Sequence, residues 1–428
     1  MIRKKTIKDI DMQGKIVLVR ADYNVPLKDG VITDDYRIEK SLPTLQYLLD
    51  QNCKVVVCSH LGRPAGPEDT ANSLKPVATR LNELLDREVW FTNDCIGDHS
   101  RQMIHDLPHG NVLLLENLRY YKEEESNDDG FAAKLAQDID IFVQDGFGVV
   151  HRAHASTDAI TRHLTSVAGL LVETEVDTIT GVMENPERPL FALIGGAKIS
   201  DKIDMLHRFI DIADVVAVGG AMANTFLLAE GTKIGKSLAD EEDVPLAKEI
   251  LAKARAKAAE GRFVFYLPQD GVVAHDIDSN QPTRIVDWGT NAIAEIESYP
   301  KFPPKESSVV GEDESILDIG PFSGAFIAGS MQLANTVIWN GAMGVTEVAA
   351  LQSKTGPFSH GTELVVEAML GQFGHKPHTV VGGGDTVGYI EHQKLTSLFG
   401  HVSTGGGASM ELMSGKPLPG IEALADKE

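Results

Sequence analysis

At 428 residues the chain exceeds the roughly 250–300 at which a single hydrophobic core stops growing, so two domains are expected. Hydrophobic residues make up 43% and charged residues 24%, an ordinary globular balance that excludes wholesale disorder. Sixty-two acidic against 39 basic residues leave a net charge of −23, which excludes a general binder of nucleic acid or anionic membrane and favours a monomer; an anionic ligand then needs a locally basic patch.

Residues 1–15 are basic but hold no continuous apolar stretch, so no signal peptide is expected. No run approaches the roughly 18 apolar residues of a membrane helix. A first group of short, β-branched apolar runs falls at 15–22, 54–60, 111–117 and 140–147. Near-continuous apolar runs of this kind predict strands buried on both faces, and the helical stretches between them predict βαβ units in a parallel sheet. One such helix is expected over 37–49, with Ile38, Leu42, Leu45 and Leu49 on one side and Pro43 weakening the pattern. The cysteines Cys53, Cys58 and Cys95 form no C-x-x-C pair and cannot complete a disulfide set, so buried thiols in a reducing cytosol are expected.

Residues 172–185 form a helical stretch closed by Pro186, read here as a hinge between lobes of about 170 and 220 residues. A second group of strands follows at 189–196, 213–220, 262–270, 315–320, 335–341, 378–385 and 401–407, with a helix rich in Ala, Lys and Glu over 245–259. The fold class is therefore α/β, with two lobes of parallel sheets flanked by helices.

Ligands of open parallel sheets bind beyond the carboxyl ends of the strands. In the first lobe those ends carry Asp22 and Asn24, then His60 and Arg63, then Arg119, then His151, Arg152 and His154, with Arg37 just after the first turn. A lone arginine is usually a surface residue. Four at one end of an acidic protein point to a small anion, because the guanidinium fork matches phosphate and carboxylate oxygens in pairs. Strands of the second lobe end instead in glycines: 195–196, 219–220, 320, 341, 382–384 and 405–407. Any single pair marks only a turn. Six such ends on one rim predict a nucleotide site, where backbone and helix N-termini approach phosphates. Lys198 and Lys202, four residues apart, are expected on one helical face. Asp385 is placed to hold Mg²⁺ beside phosphates. One lobe prepared for a small anion and one for a nucleotide suit phosphoryl transfer.

Near misses fail on single residues. Residues 230–237 lack a P-loop's first glycine because Glu230 stands there, and 382–387 lack the last glycine of a dinucleotide fingerprint. Pro321 spoils a nucleophile elbow at 320–324, and 151–154 lack a protein kinase's catalytic aspartate. An NAD-dependent dehydrogenase and a non-catalytic nucleotide-binding scaffold are the weaker alternatives.

The segments VLVRADYNVPL (17–27), SHLGRP (59–64), LLENLRYYKEEE (114–125), HRAHAS (151–156), GGAKISDKI (195–203), GGAMANTFL (219–227), WNGAMGVTE (339–347), GGGDT (382–386) and STGGGAS (403–409) together resemble phosphoglycerate kinase, in family order and over nearly the whole chain. The resemblance implies two Rossmann-like lobes joined by a hinge helix: a first domain over 1–171, a hinge over 172–186, a second domain over 187–407, and a tail over 408–428 packing back on the first. It implies reversible transfer of the acyl phosphate of 1,3-bisphosphoglycerate to ADP, giving 3-phosphoglycerate and ATP, by a cytoplasmic glycolytic monomer. By motif position, Asp22, Asn24, Arg37, His60, Arg63, Arg119 and Arg152 would hold the glycerate substrate. Lys198, Lys202, Gly219, Gly220, Asn340, Glu347, Gly382, Gly383, Gly384, Asp385 and Thr386 would hold nucleotide, with Asp385 on Mg²⁺. Arg37, Lys198, Gly384 and Gly407 form the implied catalytic set. Residues 146–150 (GFGVV), Ala342, Met343 and Thr346 depart from the usual pattern.

Overall fold

The computed structural model describes residues 2–278, 282–289, 309–348 and 356–427. Residue 428 of the expected tail, and residues 279–281, 290–308 and 349–355 of the expected second domain, lie outside them. Packing divides the chain into two units. The first holds Met1–Gly181, Thr404–Leu412 and Lys416–Glu428; the second holds Val182–Ser403 and Met413–Gly415.

The first unit is built on a six-stranded parallel sheet in the order Val89–Phe91, Val112–Leu114, Lys54–Cys58, Ile16–Arg20, Ile141–Gln144, Thr165–Ala168. Its central strands are almost wholly buried, as their β-branched runs require. Each fully buried Val or Leu there contributes about 1.5–3 kcal/mol of transfer free energy. Arg20 is level with both Cys58 and Gln144, so the loops after three neighbouring strands open at one end of the sheet. The helix Tyr36–Asp50 covers one face with Ile38, Leu45, Leu48 and Leu49. It runs through Pro43, which is exposed, so water can satisfy the carbonyl that loses its partner.

The division between units falls inside the helix Leu170–Glu184, after Gly181. The chain rejoins the first unit at Thr404, earlier than the expected 408. There the buried Glu175 accepts from both the N–H and the hydroxyl of Thr404 at 2.7 Å. Lys5 N–H donates to Ala425 O at 2.7 Å, which fixes the terminal segment beside the N-terminus.

The second unit has its own six-stranded parallel sheet: Val264–Tyr266, Val215–Val218, Leu190–Ile194, Thr336–Asn340, His378–Gly382, His401–Val402. Asn340 is level with Ile194 and Gly382, so three glycine-bearing ends meet. The strand Ser315–Ile319 corrects the expectation of six ends on one rim. It pairs antiparallel with Asp270–Ala274 in a separate three-stranded sheet with Arg284–Asp287. Gly320 therefore serves another end: Asp270 caps the helix Pro321–Met331 there, accepting from Phe322 N at 2.9 Å and Ser323 N at 2.8 Å. No described helix is long and apolar enough to cross a membrane.

Candidate active site

In the first unit, the turn after Ile16–Arg20 delivers Asp22, which is 7% exposed. Arg37, at the start of its helix, donates Nη1–H to Asp22 Oδ2 at 2.9 Å and to Asn24 O at 3.3 Å. Burial alone would raise the Asp22 pKa. Arg37, His60 and Arg20, with the Asn24 N–H, outweigh it and hold the carboxyl below its usual range. Asn24 is exposed, and its side-chain oxygen accepts from Gly62 N at 2.9 Å. His60 is buried with Nδ1 at 4.0 Å from Asp22 Oδ1. Its pKa is well below the ordinary value, through burial above all and then through Arg20, Arg119 and Arg37 against the opposing pull of Asp22. The imidazole is therefore neutral near pH 7 and can accept from Arg20 Nη2, at 3.3 Å.

Arg119 donates Nη1–H to Gly62 O at 2.7 Å and lies 3.2 Å from Glu125 through Nε. Burial lowers its pKa, and the charges of Arg20, Arg152 and Arg63 lower it further, against Glu125. Burial first, then Arg20, Arg119 and Arg152, push His154 down to about 4 against Glu125. Arg63 and Arg152 are exposed and have no carboxylate partner among the described residues. These arginines thus concentrate positive charge at one rim of an acidic protein, and two of the forks stand open.

Sequence reasoning missed Arg20. It is 1% exposed and held by Ser156 Oγ at 2.7 Å, which in turn donates to the buried Glu124 at 2.6 Å. The signal was a charged residue inside an apolar strand, where only a paired charge is tolerated. The structure also explains the glycine at 148: a Cβ there would lie 2.1 Å from Asp22 Oδ2.

Gly407 lies in the first unit rather than with the glycine ends of the second sheet: it opens the short helix Gly407–Met413, where a Cβ on it would lie 3.2 Å from His151 Nε2. The cause is the return of the chain at Thr404. The loop 405–407 follows the strand His401–Val402 of the second sheet but leaves that unit at once.

In the second unit, Lys202 turns inward. Its Nζ donates to Gly195 O at 2.7 Å and to Asn340 Oδ1 at 2.6 Å. Burial lowers its pKa to about 8, against the pull of Asp385 and Asp201. Lys198 does not share a helical face with it, because residues 195–199 are irregular and Lys202 ends a 3₁₀ turn. Lys198 is exposed and pairs with Asp240 at 2.9 Å, and that hydrogen-bonded pair raises its pKa. Gly341 needs its φ of +102°, since a Cβ would fall 2.3 Å from Gly195 O. Its N–H donates to the buried Thr386 hydroxyl at 2.6 Å. Asn340 is fully buried, with Nδ2 lacking a partner beside Gly383. Gly382 closes its strand, Gly383 precedes the helix Gly384–His392, and Asp385 is exposed in its first turn. Gly219 precedes the helix Gly220–Ala229 and abuts Met343: a Cβ on it would lie 2.4 Å from that sulfur. Glu347 is exposed. No group of three or more His, Cys, Asp or Glu is assembled for a metal among the described residues. A single open carboxylate such as Asp385 instead fits a cation that takes most of its oxygen ligands from phosphates and water.

The sequence matches the family model for phosphoglycerate kinase over residues 7–416. It is 43% identical to the phosphoglycerate kinase of Moorella thermoacetica over 424 residues, covering 99% of this chain and 100% of that one. It is also 43% identical to that of Dictyoglomus turgidum over 427 residues, with 99% and 100% covered. The fold is similar to the phosphoglycerate kinase of Coxiella burnetii, with a TM-score of 0.80, 35% identity and 98% of both chains covered. The enzyme from Pyrococcus horikoshii gives a TM-score of 0.78 at 28% identity over the same shares.

Proposed function

The chain belongs to the phosphoglycerate kinase family and catalyses reversible phosphoryl transfer between 1,3-bisphosphoglycerate and ADP, giving 3-phosphoglycerate and ATP; from that premise we propose how its own residues divide the work. The observation that carries the reading is the crowd of arginines at one rim of the first unit. In a protein of net charge −23 such a rim selects a compact, multiply charged anion.

On this reading Asn24, Arg63, Arg119 and Arg152 grip the glycerate substrate, with Asp22 and the neutral His60 fixing the orientation of Arg37. Arg37 keeps the N–H groups of Nε and Nη2 free beyond those given to Asp22 and Asn24. They stabilise charge on the transferring phosphoryl oxygens, where transition-state stabilisation counts most. In the second unit Lys198, Lys202, Asn340 and the N–H groups at Gly382–Gly384 receive the nucleotide phosphates. Gly219 and Gly220 border the base, Glu347 joins in holding the nucleotide, and Thr386 holds Gly341 in place. Asp385 would hold Mg²⁺, which when bound neutralises phosphate charge. Gly407 serves from the first unit, through the N-terminus of its helix. The three free, buried cysteines suit a reducing compartment, and the reading is of a cytoplasmic, monomeric glycolytic enzyme.

A coupled assay with 3-phosphoglycerate, MgATP and a dehydrogenase indicator tests the reading. Turnover that depends on both substrates and collapses in Arg37→Ala supports it. Undiminished turnover in that variant removes Arg37 from the role.

A further inference from the structure

Apart from the arginine rim, the first unit carries a cleft of about 1400 Å³ that the reaction does not use. It lies at the outer edge of the sheet, where the strands Val89–Phe91 and Val112–Leu114 end in Thr92 and Glu116. Two features of its lining are unusual. Glu116 is 6% exposed and accepts from Leu74 N, Asn117 N and Ser73 Oγ, each at 2.8 Å, yet it has no cationic partner among the described residues. A buried carboxylate without a counter-charge is costly. Thr92 is 1% exposed, and its hydroxyl has no hydrogen-bond partner at all. An orphaned buried hydroxyl is also costly, and native structures hold few.

Charge on the remaining lining decides the ligand's sign. Arg80 is already spent on Asp35, at 2.7 Å, and Glu83, at 2.6 Å. Asp34 receives one backbone N–H, from Tyr36 at 3.0 Å, and no cation among the described residues. The lining thus carries the carboxylates of Asp34, Asp35, Glu83 and Glu116 against Arg80 and the exposed Lys75, with His99 beside them, and an anion is disfavoured. Phe91 and Tyr120 add ring faces, which attract ammonium groups and shelter methylenes.

We propose that this cleft binds a linear aliphatic di- or polyamine, one ammonium satisfying Glu116 and Thr92 on the floor and another meeting the carboxylate of Asp34 nearer the mouth. The ammonium donates, and both a carboxylate and a hydroxyl oxygen accept, so one group answers both floor defects. Two carboxylate levels favour a chain with at least two charges over a single amine.

The test is calorimetric titration of the full chain with putrescine and with spermidine at 0.15 M salt, where diffuse attraction to the acidic surface is largely screened (Debye length about 8 Å). Saturable one-site binding is expected. It should weaken about tenfold in Thr92→Val, the worth of a hydrogen bond to a charged group, and again in Asp34→Asn. n-Butylamine should bind much more weakly than either. Thr92→Val keeps the side-chain shape and removes the orphaned hydroxyl, so melting should not fall and turnover without amine should be unchanged. If that variant folds poorly, Asp34→Asn carries the test alone. Amine affinity equal in wild type and variants, or n-butylamine binding as well as putrescine, overturns the site in favour of general attraction to a −23 surface.

Discussion

Arg37 gives Nη1–H to Asp22 Oδ2 at 2.9 Å and to Asn24 O at 3.3 Å, so its Nη1 is fixed by a carboxylate that neighbouring charges keep ionised while Nε and Nη2 have no partner among the described residues. The pair is a positioned cation rather than a neutral surface bridge, because Asp22 also answers to the buried Arg20. Arg37→Ala should lower kcat by about 10²–10³, the loss typical of removing one transition-state donor. The KM for 3-phosphoglycerate should change far less. Arg37→Lys should recover only part of the rate, since a point charge lacks the fork. Steady-state kinetics with melting curves separate this from a structural role, which would lower Tm and leave kcat close to normal.

Gly148→Ala probes the same carboxylate without touching a charge. The new Cβ would sit 2.1 Å from Asp22 Oδ2 and 3.3 Å from Thr404 O, so the side chain of Asp22 must swing aside. Arg37 then loses its anchor. Expected is a several-fold to about tenfold fall in kcat/KM for 3-phosphoglycerate, the order of one charged hydrogen bond, with melting lowered only modestly. Wild-type kinetics would show that the site tolerates a displaced Asp22.

Much of this arrangement was legible because it follows strand ends. An apolar run closed by Asp22, His60 or Arg119 places those residues on one rim once the sheet is parallel, and the register of Arg20 with Cys58 and Gln144 does the rest. What escaped depends on contacts between distant residues. Ser315–Ile319 reads like any buried strand, and only its pairing with Asp270–Ala274 reveals that it runs antiparallel outside the main sheet. The fate of Gly405–Gly407 rests on Thr404 binding Glu175, 229 residues away, which no local pattern announces. Lys198 and Lys202 have helical spacing, but the segment between them is not α-helical, so the two diverge toward Asp240 and Asn340.

Asp385 stands exposed at the start of its helix, on the rim that holds Lys202. As the lone carboxylate proposed for Mg²⁺, it should control metal demand rather than glycerate affinity. Asp385→Asn should raise the Mg²⁺ concentration for half-maximal rate and the KM for ATP, each by about tenfold, the scale of one charge-assisted contact. The KM for 3-phosphoglycerate should hold. Superimposable Mg²⁺ titrations for variant and wild type would remove Asp385 from the metal.

Lys202 gives the sharpest pH signature. Burial holds its pKa at about 8, against 10.5 for a free lysine, so in the ligand-free enzyme it is partly deprotonated just above neutrality. The sign for stability follows: protonating a buried amine opposes folding, so the penalty is full below about pH 8 and fades as pH rises towards 10.5. The sign for binding is opposite. Nucleotide phosphates arriving beside Nζ favour the charged form and raise the pKa, so ATP should take up a fraction of a proton near pH 8 and bind more weakly as pH rises through that value. Calorimetry in buffers of different ionisation enthalpy measures that proton directly. Lys202→Met should abolish the uptake and weaken ATP binding at pH 7. At pH 9.5, where the wild-type amine is largely neutral in the free enzyme, the gap between the two proteins should narrow. Uptake that persists in Lys202→Met would move the titrating group elsewhere on the rim.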